Sequence, residues 1–184
     1  MSELPSWYPG SENKPAPMPL LRIQGFVNTR DVEDGTDLLA DPQTARAWLT
    51  DAGLLPEHAA LGEADVGFAR EMREGIRSLL EGGHEVEALR RVAATHSVRL
   101  TVAEDGACEL ENAGAGELAD GLFELLLIVH RAQEDGSWSR LKVCANPDCR
   151  WAFFDRSRNQ QGSWCNMAVC GNRLKNRQLR ARRR

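Results

Sequence analysis

Along the chain, stretches in which apolar residues recur every three or four positions alternate with shorter ones in which they recur every second position. Asp41 followed by Pro42 is an N-cap with proline at the first helical position. Ala45, Trp48, Leu49 and Ala52 then share one face before Gly53 closes the helix. The same period predicts a helix over 64–81 that buries Phe68, Met72, Ile76 and Leu79 and stops at Gly82-Gly83. A third helix is expected over 84–95 through Val86, Leu89 and Val92. A fourth, over 116–133, is apolar enough at Leu122, Leu125, Leu126 and Val129 to be the central packing element. Period two in Val98, Leu100 and Val102, an Asp105-Gly106 turn, then Cys108 and Leu110, predict a β-hairpin in which Cys108 is a small buried hydrophobe. Residues 20–29 have strand character, 31–40 look like a loop, and 1–19, with five prolines, read as an extended leader.

These elements place the chain in the α+β class: a mainly helical N-terminal domain with a small antiparallel sheet, followed by a different kind of module. The expected divisions are a leader at 1–19, a body at 20–137 and a C-terminal module at 138–184. At 184 residues the chain is too short for a large multidomain enzyme. Its longest aliphatic run is Leu125–Val129, and no basic-then-apolar stretch opens it. No signal or membrane span is therefore expected, and the default compartment is the cytoplasm.

Charge separates the two parts. The net charge is −4, but residues 136–184 hold 12 Lys/Arg and two Asp/Glu, a net of +10, which leaves −14 on the remainder. Such asymmetry suits a polyanion-binding end on a body that repels polyanions.

Cysteine spacing explains how the end is built. Four of the five cysteines form Cys144-x4-Cys149-x15-Cys165-x4-Cys170, two short chelating pairs joined by a loop, as a tetrahedral structural Zn2+ requires. Two disulfides are the alternative, which a reducing cytosol disfavours. Four thiolates would close the coordination shell and leave no open position for catalysis. His58, His84, His96 and His130 are scattered and form no ligand motif. Between the pairs, an aromatic stretch from Arg150 suits a strand and 159–162 a turn. Trp151, Phe153, Phe154 and Trp164 would form a miniature core, with base stacking as the other reading of those rings. A strand pair followed by a helix carrying the second cysteine pair predicts a treble-clef-like module.

That helix is expected to start at Asn166, a candidate N-cap, and to run to the basic end of the chain. At 100° per residue, Arg173, Arg177, Arg180 and Arg184 make one cationic stripe beside an apolar stripe of Met167, Cys170, Leu174 and Ala181. Asn172 and Arg173 are the candidates for reading bases, since asparagine pairs with adenine and arginine with guanine in the major groove. Arg177, Arg180 and Arg184 are placed for phosphates, with Arg156 and Arg158 in support. In the body, Asn28, Thr29 and Arg30 are candidate pocket residues for a small-molecule effector, although strand termination explains them equally well. No nucleophile elbow, phosphate loop or dinucleotide fingerprint occurs, so the chain is not expected to be an enzyme.

The run Trp164-Cys165-Asn166-Met167-Ala168-Val169-Cys170-Gly171-Asn172-Arg173, preceded by Cys144-x4-Cys149, resembles the CGNR zinc finger, whose tetrapeptide stands here at 170–173. In that family the finger follows an N-terminal ABATE domain associated with stress-induced transcription regulation. Phe26-Val27-Asn28-Thr29 and the stretch from Trp48 to Leu55 resemble its opening. The resemblance implies sequence-directed binding of double-stranded DNA by the finger, and an effector-sensing or dimerising role for the body. A homodimer reading paired half-sites is expected, because one small module buries too little on DNA for specificity. Binding of structured RNA, or docking on an acidic protein partner, remain the alternatives. Chelation is expected to unfold residues from about 138 onward while the body stays folded.

Overall fold

The computed structural model describes residues 4–10, 14–114 and 117–173. Amphipathic helices supply most of the core. α1 (Leu20–Asn28), α2 (Pro42–Asp51), α3 (Glu63–Leu80), α4 (Glu87–Thr95) and α5 (Leu118–Glu134) alternate with three small antiparallel sheets. The sheets pair β1 (Arg30–Asp31) with β2 (Thr36–Asp37), β3 (Val98–Val102) with β4 (Cys108–Asn112), and β5 (Leu141–Val143) with β6 (Ala152–Phe154).

α2 starts as its sequence dictates. The Asp41 carboxylate accepts from the Gln43 and Thr44 amides at 2.9 and 3.0 Å, and Ala45, Trp48, Leu49 and Ala52 are buried. α3 buries Met72 and Ile76, and α5 buries Leu122, Leu125 and Val129 beside them in one cluster. Gly121 lets α5 approach the chain before it: a Cβ there would lie 1.9 Å from the Leu54 carbonyl oxygen. A side chain at this position would push the central helix off its seat.

Residues 20–29 are the main departure from expectation, for they form α1 and not a strand. Leu20, Ile23, Phe26 and Val27 are buried, and so are Gln24 and Asn28 on the remaining sides. Because the polar Gln24 and Asn28 are themselves buried, polar positions do not mark a solvent face here, and a short segment of this kind reads equally well as a strand. The expected loop at 31–40 contains the short β1–β2 pairing. Before α1, Tyr8 and Ala16 are buried against the body, and the Trp48 indole donates to the Trp7 carbonyl at 2.6 Å.

The β3–β4 hairpin forms in the expected register, with Leu100 opposite Leu110 and Val102 opposite Cys108. Cys108, however, is exposed and not buried. Its β3 neighbours on that face are exposed as well: Val98, Leu100 and Val102 are 45%, 64% and 68% exposed, while Leu110 and Asn112 are half-buried. Alternation specifies a sheet with two unlike faces but does not say whether this chain covers the apolar one.

The C-terminal hairpin belongs to the main core. Leu141, Ala152 and Phe154 join the cluster built by the helices, whereas Phe153, pointing to the opposite side of β6, packs with the cysteines. Among the four aromatic residues expected to form a separate miniature core, Phe154 thus faces the body.

Candidate metal centre and its attachment

Cys144 and Cys149 bracket the tight loop that joins β5 to β6. The Asn146 carbonyl accepts from the amides of Cys149 and Arg150, both at 3.0 Å, while Arg150 takes a left-handed conformation (φ 53°) that turns the chain into β6. The Cys144 amide donates to the Trp151 carbonyl at 2.9 Å and closes the loop. The second pair sits where the chain enters a helical turn at Met167–Gly171. Asn166 caps that turn as expected, accepting from the Ala168 and Val169 amides at 2.9 and 3.3 Å. Only the start of the predicted basic helix, through Arg173, falls within the described residues.

The four sulfurs converge. Cys149 and Cys165 Sγ are 3.6 Å apart, Cys165 and Cys170 Sγ 3.7 Å, and all four lie within 4.8 Å of one another. Tetrahedral zinc with bonds of about 2.3 Å sets its sulfurs about 3.8 Å apart, so the donor set fits that ion in number, chemistry and spacing. Charge makes the same demand. Hydrogen bonds from Cys149 and Cys165 draw the Cys144 thiol down to about 2. Its neighbour Cys149 is pushed up to about 12, first through its hydrogen bond to Cys144, and Cys165 is also pushed up by Cys144 and Cys149. These opposed shifts show thiols crowded close enough to compete for one another's protons, a competition that a divalent cation would relieve.

The metal loop is bolted to the body by polar contacts that sequence reading missed. Asn28 in α1 pairs with the backbone of β6: its Oδ1 accepts from the Ala152 amide at 2.7 Å and its Nδ2 donates to the Ala152 carbonyl at 2.9 Å. Gln24, one turn earlier, donates to the same carbonyl at 3.2 Å. From α3, Arg77 donates to the Arg150 and Val27 carbonyls, both at 2.7 Å. The Arg150 guanidinium returns to Glu81 at 2.9 and 3.1 Å. Lys14 Nζ donates to the Trp164 carbonyl at 2.6 Å, and the Lys14 carbonyl accepts from the Phe154 amide at 2.9 Å. Arg73 and Arg77 are 1% exposed. Both lie on the Met72 and Ile76 side of α3, and charged residues within an apolar stripe were the available signal. Arg73 is held by both oxygens of Asp37 at 2.6 and 2.9 Å.

A second polar knot stabilises the loop leading to Cys165. Asp155 is 3% exposed and accepts from the Ser157 amide, the Lys142 ammonium and the Gly162 amide at 3.0, 3.0 and 2.7 Å. Burial pushes its carboxyl up, but these donors outweigh burial and hold it well below the usual carboxylate range. A Cβ at Gly162 would stand 2.8 Å from that carboxylate.

The residues proposed for nucleic acid and effector contacts are distributed unevenly. Asn172 donates to the Ala168 carbonyl of its own turn at 3.1 Å, and Arg173 is ion-paired with Glu33 of the body. Arg156 donates to the Pro15 carbonyl at 2.8 Å, and Arg158 is exposed beside it in the loop. Arg177, Arg180 and Arg184 lie outside the described residues. In the body, Asn28 is committed to Ala152, and Thr29, also buried, donates to the Phe26 carbonyl at 2.7 Å and accepts from Arg73. Arg30 is exposed, 3.7 Å from Glu74.

Four converging thiols with no open coordination position, at the head of a basic segment, define a structural zinc-finger protein. Family comparison agrees: the CGNR zinc finger model matches residues 140–183, and the ABATE model, described as a putative stress-induced transcription regulator, matches residues 23–134. The chain belongs to this family, and Cys144, Cys149, Cys165 and Cys170 fit its one structural zinc ion. The family description is that of a regulator and not of an enzyme. Comparison with curated proteins found no match. Among the described residues, no helix is long and apolar enough to cross a membrane.

Proposed function

We propose that the protein is a zinc-dependent transcription regulator of the cytoplasm that binds double-stranded DNA through residues 138–184. The observation that carries this reading is the pairing of a closed four-thiolate centre with a segment of net charge +10 on a body of net charge −14. Zinc holds the loop and the start of the basic helix in one geometry. Arg156, Arg158, Arg177, Arg180 and Arg184 meet phosphates, while Asn172 and Arg173 exchange their present partners, Ala168 and Glu33, for base edges. The acidic body keeps polyanions off every surface but the finger, and residues 20–137 join two copies so that two fingers read paired half-sites. The test is selection of bound sequences from a pool of random duplexes by the intact protein, with and without zinc. Enrichment of a palindromic site only with zinc supports the reading. Retention of structured RNA in preference to any duplex would overturn it.

A further inference from the structure

The β3–β4 hairpin carries an edge that nothing in the described structure covers. Among the described residues β3 pairs only with β4. The bonds from the Ala103 amide to the Ala107 carbonyl and from the Ala113 amide to the Ser97 carbonyl fix the parity of the ladder. The odd-numbered residues of β3 face β4, so Val98, Leu100 and Val102 turn their amides and carbonyls outward. These same residues carry the most exposed aliphatic side chains of the sheet. A regular five-residue strand without proline or bulge, apolar on one face, has none of the usual devices that blunt an edge apart from Arg99. The other edge of the hairpin is not equivalent. There the Leu110 carbonyl accepts from Arg131 of α5, Asn112 donates to the Asp120 carbonyl at 3.2 Å, and Glu109 and Glu111 add like charges.

We propose that β3 is the homodimer contact: two copies pair their β3 strands antiparallel about a two-fold axis through Leu100, joining the hairpins into one four-stranded sheet. This rests on the homodimer reading above and names its surface. Parity selects the register, because an antiparallel pair centred on Leu100 sets Leu100 against Leu100, and Val98 against Val102, of the second copy. All of these are residues with outward amides and carbonyls. Charge permits it too: Arg99 falls beside the second copy's threonine at position 101, with no like charges opposed. Self-pairing through β4 would instead set Glu109 against Glu111. The exposed aliphatic residues then form a continuous six-residue stripe across the axis. A nucleic acid is not the occupant of this edge, since the apolar face offers no cation to a phosphate.

The experiment is sedimentation of the zinc-loaded full chain over micromolar concentrations, combined with disulfide trapping. Wild type is expected to dimerise. Leu100→Lys, which sets two ammonium groups against each other at the axis, is expected to weaken the dimer by at least about tenfold with zinc content and circular dichroism unchanged. In a Cys108→Ser background, Leu100→Cys is expected to form an inter-chain disulfide. Opposed Cα atoms in such a pair lie about 5.5 Å apart, within disulfide reach. Arg99→Cys is expected not to cross-link with its own copy. A wild type that stays monomeric, both free and on DNA, overturns the homodimer reading and this contact with it. A wild-type dimer that ignores Leu100→Lys, or that cross-links through position 99 and not 100, overturns the contact while leaving the homodimer standing.

Discussion

Asn28 and Ala152 are 124 positions apart, yet the Asn28 amide reproduces on β6 the two-bond pairing that a neighbouring strand would make, at 2.7 and 2.9 Å. Both groups of Ala152 are buried, so no water replaces the lost partner if the side chain is removed. Asn28→Ala orphans the Ala152 amide, while Gln24 still reaches the carbonyl, and is expected to cost about 1–3 kcal/mol, measured by urea denaturation of the zinc-loaded chain. The conservative Asn28→Asp keeps the acceptor for the Ala152 amide but sets a carboxylate against its carbonyl, so it is expected to be no milder.

This bond changes what metal removal should do. Zinc as the main source of a small module's folding energy implies a finger that unfolds alone, but Leu141, Ala152 and Phe154 are part of the body's core. Chelation is therefore expected to reduce hydrogen-exchange protection in α1 and α3 as well as beyond residue 138. Protection in α1 unchanged by chelation would show that the two parts are independent. Cys108→Ser is expected to retain one zinc per chain and Cys165→Ser to lose it, read by metal analysis.

Asp155 gives the loop a pH dependence of known sign. Its carboxyl is held below the value it has in an unfolded chain, so its contribution is complete above about pH 4 and is lost as pH falls through the depressed folded value. Asp155→Asn is expected to be less stable than wild type at neutral pH, and the difference is expected to shrink on acidification. Thermal unfolding of both proteins across that range, compared as a difference so that loss of zinc is shared, checks it.

Burial of Arg73 with Asp37 predicts an asymmetric pair of variants. Arg73→Met strands a carboxylate that is only partly solvated and is expected to destabilise by about 3–5 kcal/mol. Asp37→Asn keeps a hydrogen-bond acceptor for the guanidinium and is expected to cost less, by the same denaturation measurement.

Arg173 pairs with Glu33 of the body, which competes with any phosphate or base for the same guanidinium. Glu33→Gln is expected to tighten duplex binding about two- to fivefold at low salt, with the gain fading as salt rises. Arg173→Ala is expected to weaken binding and to make the Glu33 substitution silent. Additive effects of the two substitutions would show that the ion pair plays no part in binding.

The Asp41-Pro42 start, the Gly53 and Gly82 stops and the 105–106 turn were legible because each is a local backbone preference. The four ligands were legible because chelation needs near neighbours in sequence. α1 was not, since its polar residues Gln24 and Asn28 are buried and so do not mark a solvent face. Cys108 was misread because alternation shows that two faces differ without showing what lies over them. The union of finger and body was hidden for a third reason: it depends on Asn28, Gln24 and Arg77, polar side chains whose partners lie up to 128 positions away. Nothing in a local window distinguishes such a residue from a solvated one.

In the function proposed above, zinc shapes residues 138–184 into a duplex-binding surface. Its most direct test is titration of the intact chain with duplex DNA at several salt concentrations, once zinc-loaded and once after chelation. The loaded protein is expected to bind with a log affinity that falls linearly with log salt, by roughly 0.9 for each phosphate contacted, and to lose that binding without zinc. Equal affinity with and without zinc, or no binding by the loaded protein even at low salt, would contradict it.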